Sequence, residues 1–144
     1  MTRADEAETC YHAGFSCSQA VFSAFSGEMG VDRETALKIS CGLGGGMGRT
    51  GNVCGAVSGA ILVIGLKYGK TKEEDNPARE KTYALVRQFI EEFTARNGSI
   101  ECRELLGYDL SIPREYELAR KENLFRTRCP ALTRSAVELL ERIL

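Results

Sequence analysis

The chain has 144 residues, of which 43% are hydrophobic and 27% charged, and its formal net charge is −1. These values suit one soluble domain that buries a real core, and they supply no basic excess to grip nucleic acid or an anionic membrane. The opening residues 1–8 are polar and charged rather than a charged-then-apolar leader, so a cytoplasmic location is expected.

In chain order the sequence predicts helix almost throughout. Residues 4–13 form a first helix that stops at Gly14, and Ser16 caps a second over 17–29 that Gly30 ends. Asp32 caps a third, Arg33–Cys41. Residues 42–51 are too rich in glycine to stay helical and are expected to be a loop. Residues 53–68 are apolar on every face from Ala56 to Leu66 apart from Ser58, the pattern of a central buried helix. The uncharged stretch there is too short for a membrane span. Gly55 and Gly59 within it let a neighbouring backbone come close. After a polar linker, Pro77 opens the longest helix, to about Arg96, with Val86, Phe89, Ile90 and Phe93 as one apolar stripe. A short turn holds Cys102, a further helix is expected over 113–123, and Pro130 starts the last, over 130–144. No strand, repeat or domain boundary is evident. The expected fold is all-α: a single-domain helical bundle over residues 1–144, with a buried central helix at about 53–68 preceded by the glycine-rich loop.

Six cysteines occur and none forms a C-x-x-C pair. In a reducing cytoplasm they suggest metal, redox chemistry or apolar filling rather than a disulfide framework. Cys17, Cys54, Cys102 and Cys129 each fall at a predicted helix start. Cys17 follows Ser16, Cys54 follows a possible cap at Asn52, Cys102 follows Ser99 and Glu101, and Cys129 directly precedes Pro130. Unpaired N–H groups and the helix macrodipole favour thiolate over thiol at such places. Cys10 falls mid-helix and Cys41 in a last turn, so neither shares this feature.

If those helix starts converge, Cys17 and Cys54 make a nucleophile and its resolving thiol, with Cys102 and Cys129 a second pair or a relay. The residues alone leave the pairing open. The same four thiolates suit an iron–sulfur cluster or another thiolate-bound metal. Buried, inert thiols in a helical interaction protein are the third reading. His12 is the only histidine, which excludes a zinc site built on several histidines and leaves one partner for a Cys–His pair. Gly46-Met-Gly48-Arg-Thr-Gly51 spells G-x-G-x-x-G, but a helix rather than a strand precedes it, so it is not a dinucleotide fingerprint. Its N–H groups, the next helix start and Arg49 either hold an anion together or form a flexible turn beside Cys54.

Cys17, the run Cys54-Gly-Ala-Val-Ser-Gly59, Cys102 and Cys129 together resemble the C_GCAxxG_C_C family of redox-active proteins, over about residues 15–129. Val53 stands where the family name has glycine. The resemblance implies that Cys17, Cys54, Cys102 and Cys129 are the functional cysteines, with Gly55, Ala56 and Gly59 completing the central motif. It implies redox chemistry, as in a thiol–disulfide oxidoreductase, and names no substrate or redox partner. A related arrangement is similar to the iron–sulfur portion of split-Soret cytochromes, which carries the cluster alternative. The chain has no C-x-x-C-H for covalent haem.

Overall fold

A computed structural model describes residues 1–144, most of them helical. Helices α1 (Arg3–His12) and α2 (Cys17–Ser26) both start on capping boxes, Thr2 with Asp5 and Ser16 with Gln19. In each, the cap hydroxyl accepts from the third backbone N–H while the third side chain bonds back to the cap N–H, satisfying two otherwise orphaned donors. A 3-10 turn, Gly27–Met29, runs into a left-handed Gly30 that ends the second helical segment. Asp32 caps α3 (Arg33–Cys41) through the Thr35 N–H. The later helices are α5 (Gly55–Tyr68), α6 (Asn76–Asn97), α7 (Cys102–Leu106), α8 (Pro113–Lys121) and α9 (Leu124–Ile143). The all-α expectation holds, and the one strand-like pairing is an antiparallel bridge between Val53 and Glu101. No helix is long and apolar enough to cross a membrane.

The core is built around α5, as its unbroken apolar run requires. Ala56, Val57, Ala60, Val63 and Ile64 are buried in one cluster with Val21, Phe22 and Phe25 of α2, Phe89 and Phe93 of α6, and Val137 and Leu140 of α9. The α2–α5 contact explains the two motif glycines. A Cβ on Gly59 would lie 2.8 Å from the Ser18 carbonyl oxygen, and one on Gly55 would lie 3.0 Å from the Ser18 nitrogen. Two helix backbones therefore meet where side chains would hold them apart, and Cys17 is carried to the start of α5. On the other side α9 packs along α1, where Arg134 reaches Glu8 at 2.8 Å and Asp5 at 2.5 Å.

Two expectations are corrected. The last helix does not start at Pro130. It starts at Leu124, directly after Asn123, whose left-handed backbone (φ 63) turns the chain out of α8. Pro130 lies inside α9, and Cys129 therefore sits in the second turn rather than at a helix start. A proline inside a helix costs about 3 kcal/mol. Burial of Leu132, Ala136, Val137, Leu139 and Leu140 on the same helix offsets it.

The glycine-rich segment is also not a plain loop. Its short turn α4 (Gly44–Met47) continues into residues of the opposite hand, with Gly45, Gly46, Met47, Gly48 and Arg49 at φ 68, 72, 71, 63 and 66. Five successive left-handed residues make a turn of left-handed helix. Glycine adopts it freely, whereas Met47 and Arg49 each accept a strain of about 1–2 kcal/mol. Bonds from the Asn52 N–H to the Gly46 carbonyl (2.9 Å) and from the Gly51 N–H to the Gly45 carbonyl (3.3 Å) close it.

Candidate functional site

The Val53–Glu101 bridge places two of the cysteines diagonally across it, Cys54 directly after Val53 and Cys102 directly after Glu101. The Cys54 N–H donates to the Ile100 carbonyl at 2.7 Å, and the Cys102 N–H donates to the Asn52 carbonyl at 2.6 Å. Cys54 is itself the N-cap of α5, which begins at Gly55. Asn52 does not cap that helix, because its amide donates to the Thr50 hydroxyl at 2.9 Å. Cys102 opens α7 behind Glu101, while Ser99 accepts from the Glu101 N–H instead of capping. Gly46 of the left-handed turn leaves room for this arrangement, since a Cβ there would lie 2.7 Å from Cys102 Cβ. Cys17, the first residue of α2, comes against the start of α5 through the glycine contact. Cys129 arrives on α9, and the Cys17 Sγ donates to its carbonyl at 3.8 Å.

Cys17, Cys54, Cys102 and Cys129 thus face one cavity of about 590 Å³. The cavity also reaches Cys41, the exposed last residue of α3, which sequence reasoning left without a role. Only the turn at Gly42 hinted that this cysteine leaves the helix surface beside the glycine segment. Cys10 stands apart, buried near Ser23 and Arg33. His12 does not line the cavity, so no Cys–His pair forms there. All six cysteines are free thiols.

Burial reverses the helix-start argument for two of the four. Cys54 receives support from the Ala56 and Val57 N–H groups, but removal from water outweighs it and pushes the thiol up to about 11. Cys102 is pushed up to about 12, first by burial and then by the neighbouring Cys54, Cys129 and Asp109. Cys17 is raised because it keeps its proton to donate to Cys129, and burial adds to this. Cys129 alone is lowered, because its ionised sulfur would accept from the Cys17 thiol and next from the Tyr11 hydroxyl, with the positive charge of Arg128 in support, all against its burial. The thiol favoured for ionisation is therefore the one of the four that is not at a helix start.

Two further residues of the site escaped the sequence. Tyr11 is held protonated by burial and by Cys129, which suits it to donate. Thr133, one turn beyond Cys129, is fully buried with no hydrogen-bond partner for its hydroxyl, and it lies where it would donate to a Cys17 thiolate.

A family model described as "Putative redox-active protein (C_GCAxxG_C_C)" matches residues 15–143. The chain belongs to this family. No curated protein and no solved structure gave a match. Cys17, Cys54, Cys102 and Cys129 all lie within the matched residues, and all four line the cavity. No three His, Cys, Asp or Glu side chains of the chain converge as ligands of a single metal ion would.

Proposed function

We propose that this C_GCAxxG_C_C protein is a dithiol oxidoreductase in which Cys129 attacks and Cys17 resolves. The observation that carries the reading is the contact between these two residues, the Cys17 thiol donating to the Cys129 carbonyl beside a Cys129 sulfur whose ionisation is favoured. Cys129 thiolate attacks one sulfur of a substrate disulfide, RSSR. The substrate S–S bond breaks, a mixed disulfide forms on Cys129, and the departing RS⁻ takes the Cys17 proton. Cys17, now a thiolate supported by the Thr133 hydroxyl, attacks the Cys129 sulfur and expels the second RS⁻. The substrate gains two electrons and the Cys17–Cys129 pair loses two. This reading replaces Cys54 with Cys129 as the partner of Cys17, since Cys54 retains its proton until about pH 11. The test is peptide mapping after oxidation by a stoichiometric small disulfide. A Cys17–Cys129 bond is expected, and a Cys17–Cys54 bond in its place would overturn the assignment.

A second reading is an iron–sulfur cluster held on Cys17, Cys54, Cys102 and Cys129. It is favoured by the presence of all four thiols on one cavity. The failure of any three to converge argues against a lone metal ion, whereas a cluster spreads its irons and its thiolates apart. Such a group would supply one-electron transfer when bound. Iron and acid-labile sulfide in protein purified without air, with a visible band lost in each single Cys→Ser variant, is its signature. Metal-free, colourless protein from the same preparation would remove it.

A further inference from the structure

Among the residues lining the cavity only Arg49 carries a permanent charge. No carboxylate pairs with it. It is held in place by two features. Its guanidinium lies 4.9 Å from the centre of the Tyr116 ring, and its side chain folds back across Gly45, where a Cβ would come within 2.7 Å of Arg49 Cγ. The left-handed turn therefore aims a cation at the cavity mouth and leaves it without a counter-ion. The rest of the wall is apolar and aromatic, with Phe15, Leu106, Leu110 and Phe125 beside Tyr116. Tyr116 and Phe125 stand 5.2 Å apart as a tilted ring pair.

Access decides the size of the partner. Cys129 is 7% exposed and Cys54 4%. A disulfide fixed within a folded protein surface cannot enter to meet them, whereas a cavity of about 590 Å³ lies in the range that encloses a small molecule. Resting on the dithiol reading above, we propose that the substrate is a small disulfide with an apolar body and a carboxylate. The carboxylate pairs with Arg49 at the mouth, the body lies along Tyr116 and Phe125, and the S–S bond reaches Cys129. The disulfide is the oxidant and leaves as two thiols, as in the exchange already described. A guanidinium stacked on an aromatic ring suits a planar carboxylate because the stacking leaves its N–H edge free to donate.

The test compares two aromatic disulfides of similar size on the reduced protein, dithiobis-nitrobenzoate with two carboxylates and uncharged dithiodipyridine. The quantity read is the ratio of their second-order rate constants for forming the Cys17–Cys129 bond. Arg49→Gln keeps a non-glycine residue in the same backbone conformation, and it should lower the anionic-to-neutral ratio roughly tenfold, the scale of one lost charge-assisted bond. Arg49→Lys should restore part of that ratio. Arg79→Gln on α6, outside the cavity, controls for bulk charge. A ratio in Arg49→Gln no lower than in Arg79→Gln would overturn the substrate class while leaving the dithiol reading standing. If neither reagent yields the Cys17–Cys129 bond in the unaltered protein, both fall.

Discussion

The Cys17 thiol donates to the Cys129 carbonyl at 3.8 Å although 112 positions of sequence separate the two residues. One end of the contact is the first residue of α2, the other the second turn of α9, and the glycine-mediated α2–α5 packing holds the first of them in place. The pair is asymmetric. Cys17 keeps its proton and Cys129 gives its own up more readily than an ordinary thiol.

The asymmetry predicts a pH profile. Alkylation of Cys129 should rise with pH and level off below the ordinary thiol value of 9.0, while Cys54 and Cys102 continue to gain reactivity towards about 11 and 12. Timed alkylation with mass mapping of each cysteine measures this directly. Equal profiles for all four would contradict the assignment of Cys129 as nucleophile.

Stability should fall in alkali. Between pH 9.0 and about 11 the unfolded chain has lost the Cys54 proton while the folded chain retains it. The unfolded state then binds fewer protons, so the free energy of unfolding decreases as pH rises. The loss from Cys54 alone is at most about 3 kcal/mol. Cys54→Ala carries no such proton, and its denaturation midpoint should vary less across that window than that of the unaltered protein.

Tyr11→Phe keeps the ring and removes one of the donors that lower Cys129. Alkylation of Cys129 at neutral pH should slow by about three- to tenfold, with its profile displaced to higher pH. The melting temperature should stay close to that of the unaltered chain. A large fall in stability with an unmoved pH profile would make Tyr11 a packing residue only.

Thr133→Val separates the two steps of the exchange. The hydroxyl has no partner in the reduced protein, so its replacement by a methyl of similar volume should leave stability unchanged or slightly improved. The first attack by Cys129 should keep its rate, while closure of the Cys17–Cys129 bond slows by about threefold or more for want of a donor to Cys17. Rapid-quench trapping of the mixed disulfide distinguishes the two steps.

Gly59→Ala places a methyl 2.8 Å from the Ser18 carbonyl oxygen, a backbone atom that cannot turn aside. A destabilisation of about 1–3 kcal/mol is expected, together with weaker coupling of Cys17 to Cys129 as α2 moves off α5. Gly65→Ala on the same helix meets nothing within 4 Å and should be neutral or mildly stabilising. Similar denaturation curves for the two variants would remove the close-approach account of the motif.

Local chemistry made much of the fold legible. The Ser16–Gln19 box, the Asp32 cap and the Phe89 and Phe93 stripe are each written within a few residues, and each folds as its pattern says. Pro130 was misleading because proline suits a first helical turn, while its tolerance inside α9 depends on burial against helices remote in sequence. The left-handed turn was similarly hidden, since Met47 and Arg49 give no local sign of adopting positive φ.

The site divides the same way. Its four motif cysteines could be listed from the sequence, and they do face one cavity. Which of them ionises could not, because the helix-start effect is local whereas the burial that overrides it at Cys54 and Cys102 is a property of the packed molecule. Tyr11 and Thr133 carry no motif and enter the site only when α1 and α9 lie against one another.

The separation of Cys17 from Cys129 has a mechanical consequence. A covalent link between them would turn most of a linear chain into a closed ring, holding α2, α5 and α6 within its circumference and leaving only α1 and most of α9 as free tails. Closing a ring of that size restricts the unfolded ensemble by about 5 kcal/mol. Each turnover would therefore alternate the molecule between a form that proteases and heat can open and one that resists both, so its survival time in a cell would record how oxidised it has been.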